Sequence, residues 1–104
     1  MKLWIDDVRP APEGYVWCKS VDAAQTAIVY NDWDMINGRG SQIELIDIDH
    51  DAGDFACDGG DYIKLLDWLE ETGRNYPIRI HSMNVVGVAN MRAIIQRNGW
   101  KEIR

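Results

Sequence analysis

The chain reads as an α/β protein: a three-layer sandwich built on a mostly parallel sheet of about five short strands. Two observations predict it. Short apolar runs rich in branched residues alternate with segments of about 15 residues carrying a helical period, the pattern of strand–helix–strand units. Polar residues then follow directly on three of the strands, as expected where strand ends line a ligand site.

The elements follow in order. Leu3-Trp4-Ile5 is a buried strand stopped by Asp6-Asp7. Pro10, Pro12 and Gly14 make the next stretch loop. Tyr15 to Cys18 is a second strand. Ser20 is an N-cap, and Ala23, Ala24, Ala27 and Ile28 suit a helix that fades near Asn31. A loop over residues 37–41 leads to a third strand, Ile43 to Ile48, which runs into Asp49-His50-Asp51. Ala52 to Gly60 is small, acidic and Gly-rich, hence loop. From Asp61 the period Ile63, Leu66, Leu69 marks a second helix, ended by Gly73. Ile78 to Ile80 is a fourth strand ending in His81-Ser82. Asn84 caps a third helix with Val88, Met91, Ile94 and Ile95 on its apolar face, stopped at Asn98-Gly99. Trp100 to Ile103 is a last short strand.

The sequence has 104 residues, 46% of them hydrophobic. That length fits one domain, residues 1–104, with a single core. Lys plus Arg number 11 against 17 Asp plus Glu, a net charge of −6, so the chain has no general pull on duplex nucleic acid or anionic lipid. No stretch approaches the ~18 apolar residues of a membrane span. The N-terminal apolar run is too short for a signal peptide. The two cysteines, Cys18 and Cys57, form no Cys-x-x-Cys pair, so free thiols in a cytoplasmic setting are expected. The five Trp are spread along the chain, which fits core and rim packing better than a stacking platform.

One parallel sheet brings the three strand ends together: Asp6-Asp7, Asp49-His50-Asp51, and His81-Ser82 with Asn84. Clustered carboxylates repel, and a hard divalent cation, Mg²⁺ or Mn²⁺, relieves this; Asp6, Asp7, Asp49 and Asp51 are its candidate ligands. His50 and His81, the only histidines, are candidate acid and base for a phosphodiester. Ser82 is either a phosphoryl donor or a nucleophile. Asn84 puts a helix N-terminus toward an anion. Arg9 either clamps a phosphate or pairs with the acids. Asp47 has two readings: the strand ends before it, or it joins the polar site. A calcium loop over Asp47, Asp49 and Asp51 is discounted, since no Gly or closing Glu follows at the required places.

Taken together, Asp6-Asp7-x-Arg9-Pro10-x-Pro12-x-Gly14, Asp49-His50-Asp51-x-Gly53 and His81-Ser82-x-Asn84-x-x-Gly87-x-Ala89-Asn90-Met91 resemble the cyclic-phosphate-processing receiver-like domains. The resemblance spans nearly the whole chain. It implies a receiver (flavodoxin-like) fold, a role in binding or processing small cyclic phosphates in the setting of RNA repair, and the nine motif residues just discussed as the site. The family is similar in turn to response-regulator receivers, where an acidic pair binds Mg²⁺ and a strand-end Asp, here Asp49, accepts phosphate. The receiver Lys has no counterpart, because Lys101 lies at the wrong end of the last strand, and a Pro-rich loop replaces the first helix. Val85, where Pro often follows the Asn, and Asp47 also depart from the expected pattern. The reading is a metal-dependent cyclic phosphodiesterase. The alternatives are a non-catalytic sensor of the same ligand and a degenerate receiver docking a protein partner.

Overall fold

The computed structural model describes residues 1–104. Five strands, β1 (Lys2–Ile5), β2 (Tyr15–Cys18), β3 (Leu45–Ile48), β4 (Ile78–Ile80) and β5 (Glu102–Ile103), form one sheet in the order β2-β1-β3-β4-β5. Every pairing is parallel. Three helices connect them: α1 (Val21–Ile36), α2 (Ile63–Glu71) and α3 (Val85–Asn98). The α/β class, the parallel sheet and the strand count expected from the sequence are all present. No helix is long and apolar enough to cross a membrane.

The layering differs from expectation. The crossovers β2→β3, β3→β4 and β4→β5 all step across the sheet in one sense. Right-handed connections therefore put α1, α2 and α3 on one face. One core cluster agrees: Leu3, Ile5, Ile46, Ile48 and Ile78 from the sheet meet Ile28, Leu66 and Met91 from the three helices. Only β1→β2 steps the other way, and its connection, residues 6–14, is loop. The protein thus has two layers rather than three, and much of the second sheet face stays open.

That loop is tied down by indole donors. Trp4 Nε1 donates to the Arg9 carbonyl at 2.8 Å and Trp17 Nε1 to the Asp6 carbonyl at 2.7 Å. Helix α1 begins as expected, with Ser20 Oγ accepting from the Ala23 N–H. It runs past Asn31 to Ile36. Asn31 does not end the helix because it is buried and holds Ser41 through both amide atoms. Strand β3 starts at Leu45, and Ile43 joins the core from the preceding loop. The expected loop 52–60 contains a 3-10 turn, Gly53–Cys57. Helix α2 starts at Ile63 rather than Asp61, and β5 is confined to Glu102–Ile103. Tyr62, just before α2, is fully buried, and its hydroxyl donates to the Lys19 carbonyl at 2.7 Å. Burial and the carboxylates around it push that phenol well above its ordinary pKa.

Candidate functional site at the carboxyl edge

Register builds the site. Ile5 pairs with Ile48 and Ile48 with Ile80. One residue further on, Asp6, Asp49 and His81 stand side by side across three strands. Backbone bonds carry the sheet that far: Asp49 N–H donates to Ile5 O and His81 N–H to Ile48 O, both at 2.9 Å. Side chains alternate along a strand, so these three residues, with Trp4, Asp47 and Arg79 behind them, lie on the open face.

His81 is the centre of this row. Its Nε2 lies 2.9 Å from Asp6 Oδ2 and its Nδ1 2.6 Å from Asp47 Oδ1. An ionised carboxylate only accepts, so both nitrogens find an acceptor when the ring is protonated, and the arrangement favours the imidazolium. Burial alone would lower its pKa; the bonds and charges of Asp47 and Asp6 outweigh it and hold His81 above the ordinary value. The ring stacks on Trp4 with centroids 3.9 Å apart and planes 6° from parallel. Asp6 is fully buried. Burial raises its pKa, but the N–H groups of Arg9 and Val8 on Oδ1 and the His81 imidazolium on Oδ2 take it below the usual value. Asp47 stays in mid-strand, 1% exposed, and joins the polar site; Arg79 Nη1 lies 3.7 Å from its other oxygen.

His50 forms a second centre on the helix side of the edge. Its Nδ1 is 2.8 Å from Asp51 Oδ1, and this hydrogen bond holds the Asp51 carboxyl below its ordinary pKa. Asn84 Nδ2 reaches both residues at 3.3 Å, while Asn84 Oδ1 accepts from Gly87 N–H and so caps α3. The imidazole packs directly on the first turn of α3. A Cβ at Gly87 would lie 2.5 Å from the ring, so only glycine fits there. Ser82 Oγ accepts from Asn84 N–H at 3.1 Å and keeps its own hydrogen for another acceptor.

The remaining expected site residues are placed differently. The Asp7 carboxylate packs against Gly53, whose φ of +55° and missing Cβ allow that approach. Arg9 is exposed; its backbone serves Asp6 and its guanidinium makes no ion pair with the acids. Asp6, Asp49 and His81 have ligand atoms within 4.8 Å of one another, and so, separately, do His50, Asp51 and Asp61. The four carboxylates expected to share one ion therefore do not converge: Asp6 and Asp49 fall in the first group, Asp51 in the second and Asp7 in neither. Asp6 and Asp49 suit a hard divalent ion, which takes one or two carboxylates with water and ligand oxygens. His81 offers such an ion only a nitrogen already engaged with Asp6. Of the cysteines, Cys18 is buried and its thiol is pushed up to about 11, while Cys57 is exposed.

Sequence reasoning missed the His81 clamp and the Trp4 stack. A signal existed: Trp4 and Asp6, Asp47 and Asp49, Arg79 and His81 each sit two residues apart, so each pair shares a face.

The cyclic-phosphate processing receiver domain family matches residues 1–97. The chain belongs to this family. No curated protein and no solved structure matches it. Membership agrees with the strand order and with an acidic cluster at the carboxyl edge.

Proposed function

We propose that this receiver domain hydrolyses a small cyclic phosphate, nucleotide- or RNA-derived, at the carboxyl edge of its sheet. The observation that carries the reading is the His50–Asp51 pair. Asp51 binds Nδ1 and fixes the ring, leaving Nε2 without a partner in the chain. A carboxylate-oriented imidazole with one open nitrogen is the arrangement a general base needs.

In the proposed reaction a water attacks phosphorus and His50 Nε2 takes its proton. The new P–O bond forms as one ring P–O bond breaks. The proton then passes from His50 to the departing ring oxygen, giving a phosphomonoester with a free hydroxyl. Ser82 and the N-terminal turn of α3 at Asn84 donate to the phosphoryl oxygens, and Arg9 is free to reach them. Asp6 and Asp49 are the groups that would hold Mg²⁺ or Mn²⁺; such an ion offsets their repulsion and the charge of the phosphate. With both nitrogens committed to carboxylates, His81 enters as a positioning residue that fixes Asp6.

The test is a product assay over ribose 2′,3′-cyclic phosphates and cyclic phosphates derived from ADP-ribose, with Mg²⁺, Mn²⁺ or chelator. Ring opening that needs the cation and falls by 10²-fold or more in His50→Ala is the expected result. Tight binding with no product in a long incubation would replace the enzyme by a sensor. Undiminished turnover in His50→Ala would remove the assigned base.

A further inference from the structure

Helix α1 carries two apolar stripes. Val21, Ala24 and Ile28 face the core. On the opposite side, Val29, Tyr30, Trp33 and Ile36 follow one another at helical spacing and are 49%, 67%, 62% and 80% exposed. A surface helix ordinarily keeps one apolar face. These four side chains leave on the order of 500 Å² in water, the size of the largest patch on a typical monomer.

The patch has a projection and a hollow. Ile36 projects from its C-terminal end. Toward its N-terminal end a groove of about 420 Å³ opens between α1 and α2, lined by Gln25, Thr26, Val29, Tyr30 and Trp68. At 100° per residue, Ile36 and Val29 lie on the same side of the line through Trp33, the side facing α2. A twofold axis level with Trp33 and perpendicular to an antiparallel helix pair keeps that side in place and reverses position along the helix. Ile36 stands about 4.5 Å beyond Trp33, so its twofold copy lands about 4.5 Å before it, level with Tyr30 and over the groove. Projection and hollow therefore match under one symmetry operation, the condition for an isologous dimer.

Charge points the same way. Each copy carries −6, so two copies approach best along an uncharged stripe whose flanking acids are already paired. Asp32 is bonded by Arg74, and Asp34 lies 3.9 Å from Arg39. Two such patches bring about 1,000 Å² of apolar surface together before any rim contact, close to the lower bound of specific interfaces at about 1,200 Å².

We propose that the outward face of α1 is a self-association surface, at which Ile36 of one copy enters the Gln25–Val29–Trp68 groove of a second copy across a twofold at Trp33. The test is sedimentation equilibrium of the full chain from micromolar to about millimolar concentration, beside Ile36→Glu and Trp33→Glu, each checked for folding by circular dichroism. A dimer for the parent chain, and association weakened about 30-fold or more in the variants, is the expected result. Because Ile36 is exposed in the single chain, Ile36→Glu keeps the fold and carries the test even where Trp33→Glu does not. A parent chain monomeric throughout overturns the proposal, as does a dimer that Ile36→Glu leaves intact.

Discussion

The imidazolium of His81 donates to Asp47 from the neighbouring strand at 2.6 Å, and the same ring reaches two strands over to Asp6. One cation thus ties β1, β3 and β4 together on a sheet face that no helix covers. Two buried carboxylates in that place would repel each other strongly without it.

Stability should follow the protonation of this clamp. His81 has its pKa raised above the unfolded value of 6.5, so its contribution is complete below 6.5 and is lost as pH rises through the folded value. Asp6 has its pKa lowered from 3.8, so its contribution is complete above 3.8 and is lost as pH falls through the folded value. Stability is therefore greatest between those limits and declines on the alkaline side. Asp47→Asn removes one carboxylate and lowers the His81 pKa. It should cost about 1–3 kcal/mol near pH 6 and move the alkaline decline to lower pH. Urea denaturation at pH 5, 6, 7 and 8 reads both effects; a parallel offset at all four pH values would rule out the clamp as the cause.

Gly87→Ala gives a sign opposite to the usual one. Within a helix this exchange ordinarily stabilises by about 0.5–1 kcal/mol. Here the added methyl meets the His50 ring at 2.5 Å, and both the ring and the first turn of α3 must shift. A net loss of about 1–3 kcal/mol is expected, with a displaced His50 resonance in NMR spectra. A more stable Gly87→Ala protein with an unmoved His50 would show that the seat is not tight.

Much of this was legible in the sequence. Strand and helix order came from periodicity. Asn84 and Ser20 announced their caps, and the three polar strand ends pointed to one edge. The layer count was not legible from alternation alone, because it depends on the direction in which each connection steps across the sheet. That α1 continues past Asn31 was hidden too, since an Asn that bonds a distant loop resembles one that ends a helix. The two histidines looked equivalent. Only the fold shows that Asp47 and Asp6 occupy both nitrogens of His81, whereas Asp51 occupies one nitrogen of His50.

That contrast separates the histidines experimentally. Under the proposed reaction His50→Ala leaves a folded protein and lowers kcat by about 10²–10⁴. Asp51→Asn keeps the ring but loses its orienting charge, and a drop of about tenfold or more is expected. His81→Ala leaves Asp6 and Asp47 facing each other without their cation and should lower the unfolding midpoint in urea before any question of rate arises. Midpoints and kcat measured on the three variants decide it; an unfolded His50→Ala beside a stable His81→Ala would reverse the roles.

The carboxylate row makes a prediction for cations that needs no substrate. Asp6, Asp49 and His81 hold their ligand atoms within 4.8 Å. An ion bound only by the folded state at ten times its Kd adds about 1.4 kcal/mol, and each kcal/mol is worth about 4–8 °C in a domain of this size. Thermal unfolding should therefore move up by several degrees in millimolar Mg²⁺ or Mn²⁺ and return with chelator. Asp49→Asn should abolish the response. It should also make the cation-free protein more stable than the parent, because it removes one negative charge from the row while Asp6 keeps its bond to His81. Equal shifts in the parent and in Asp49→Asn would place the ion away from this edge.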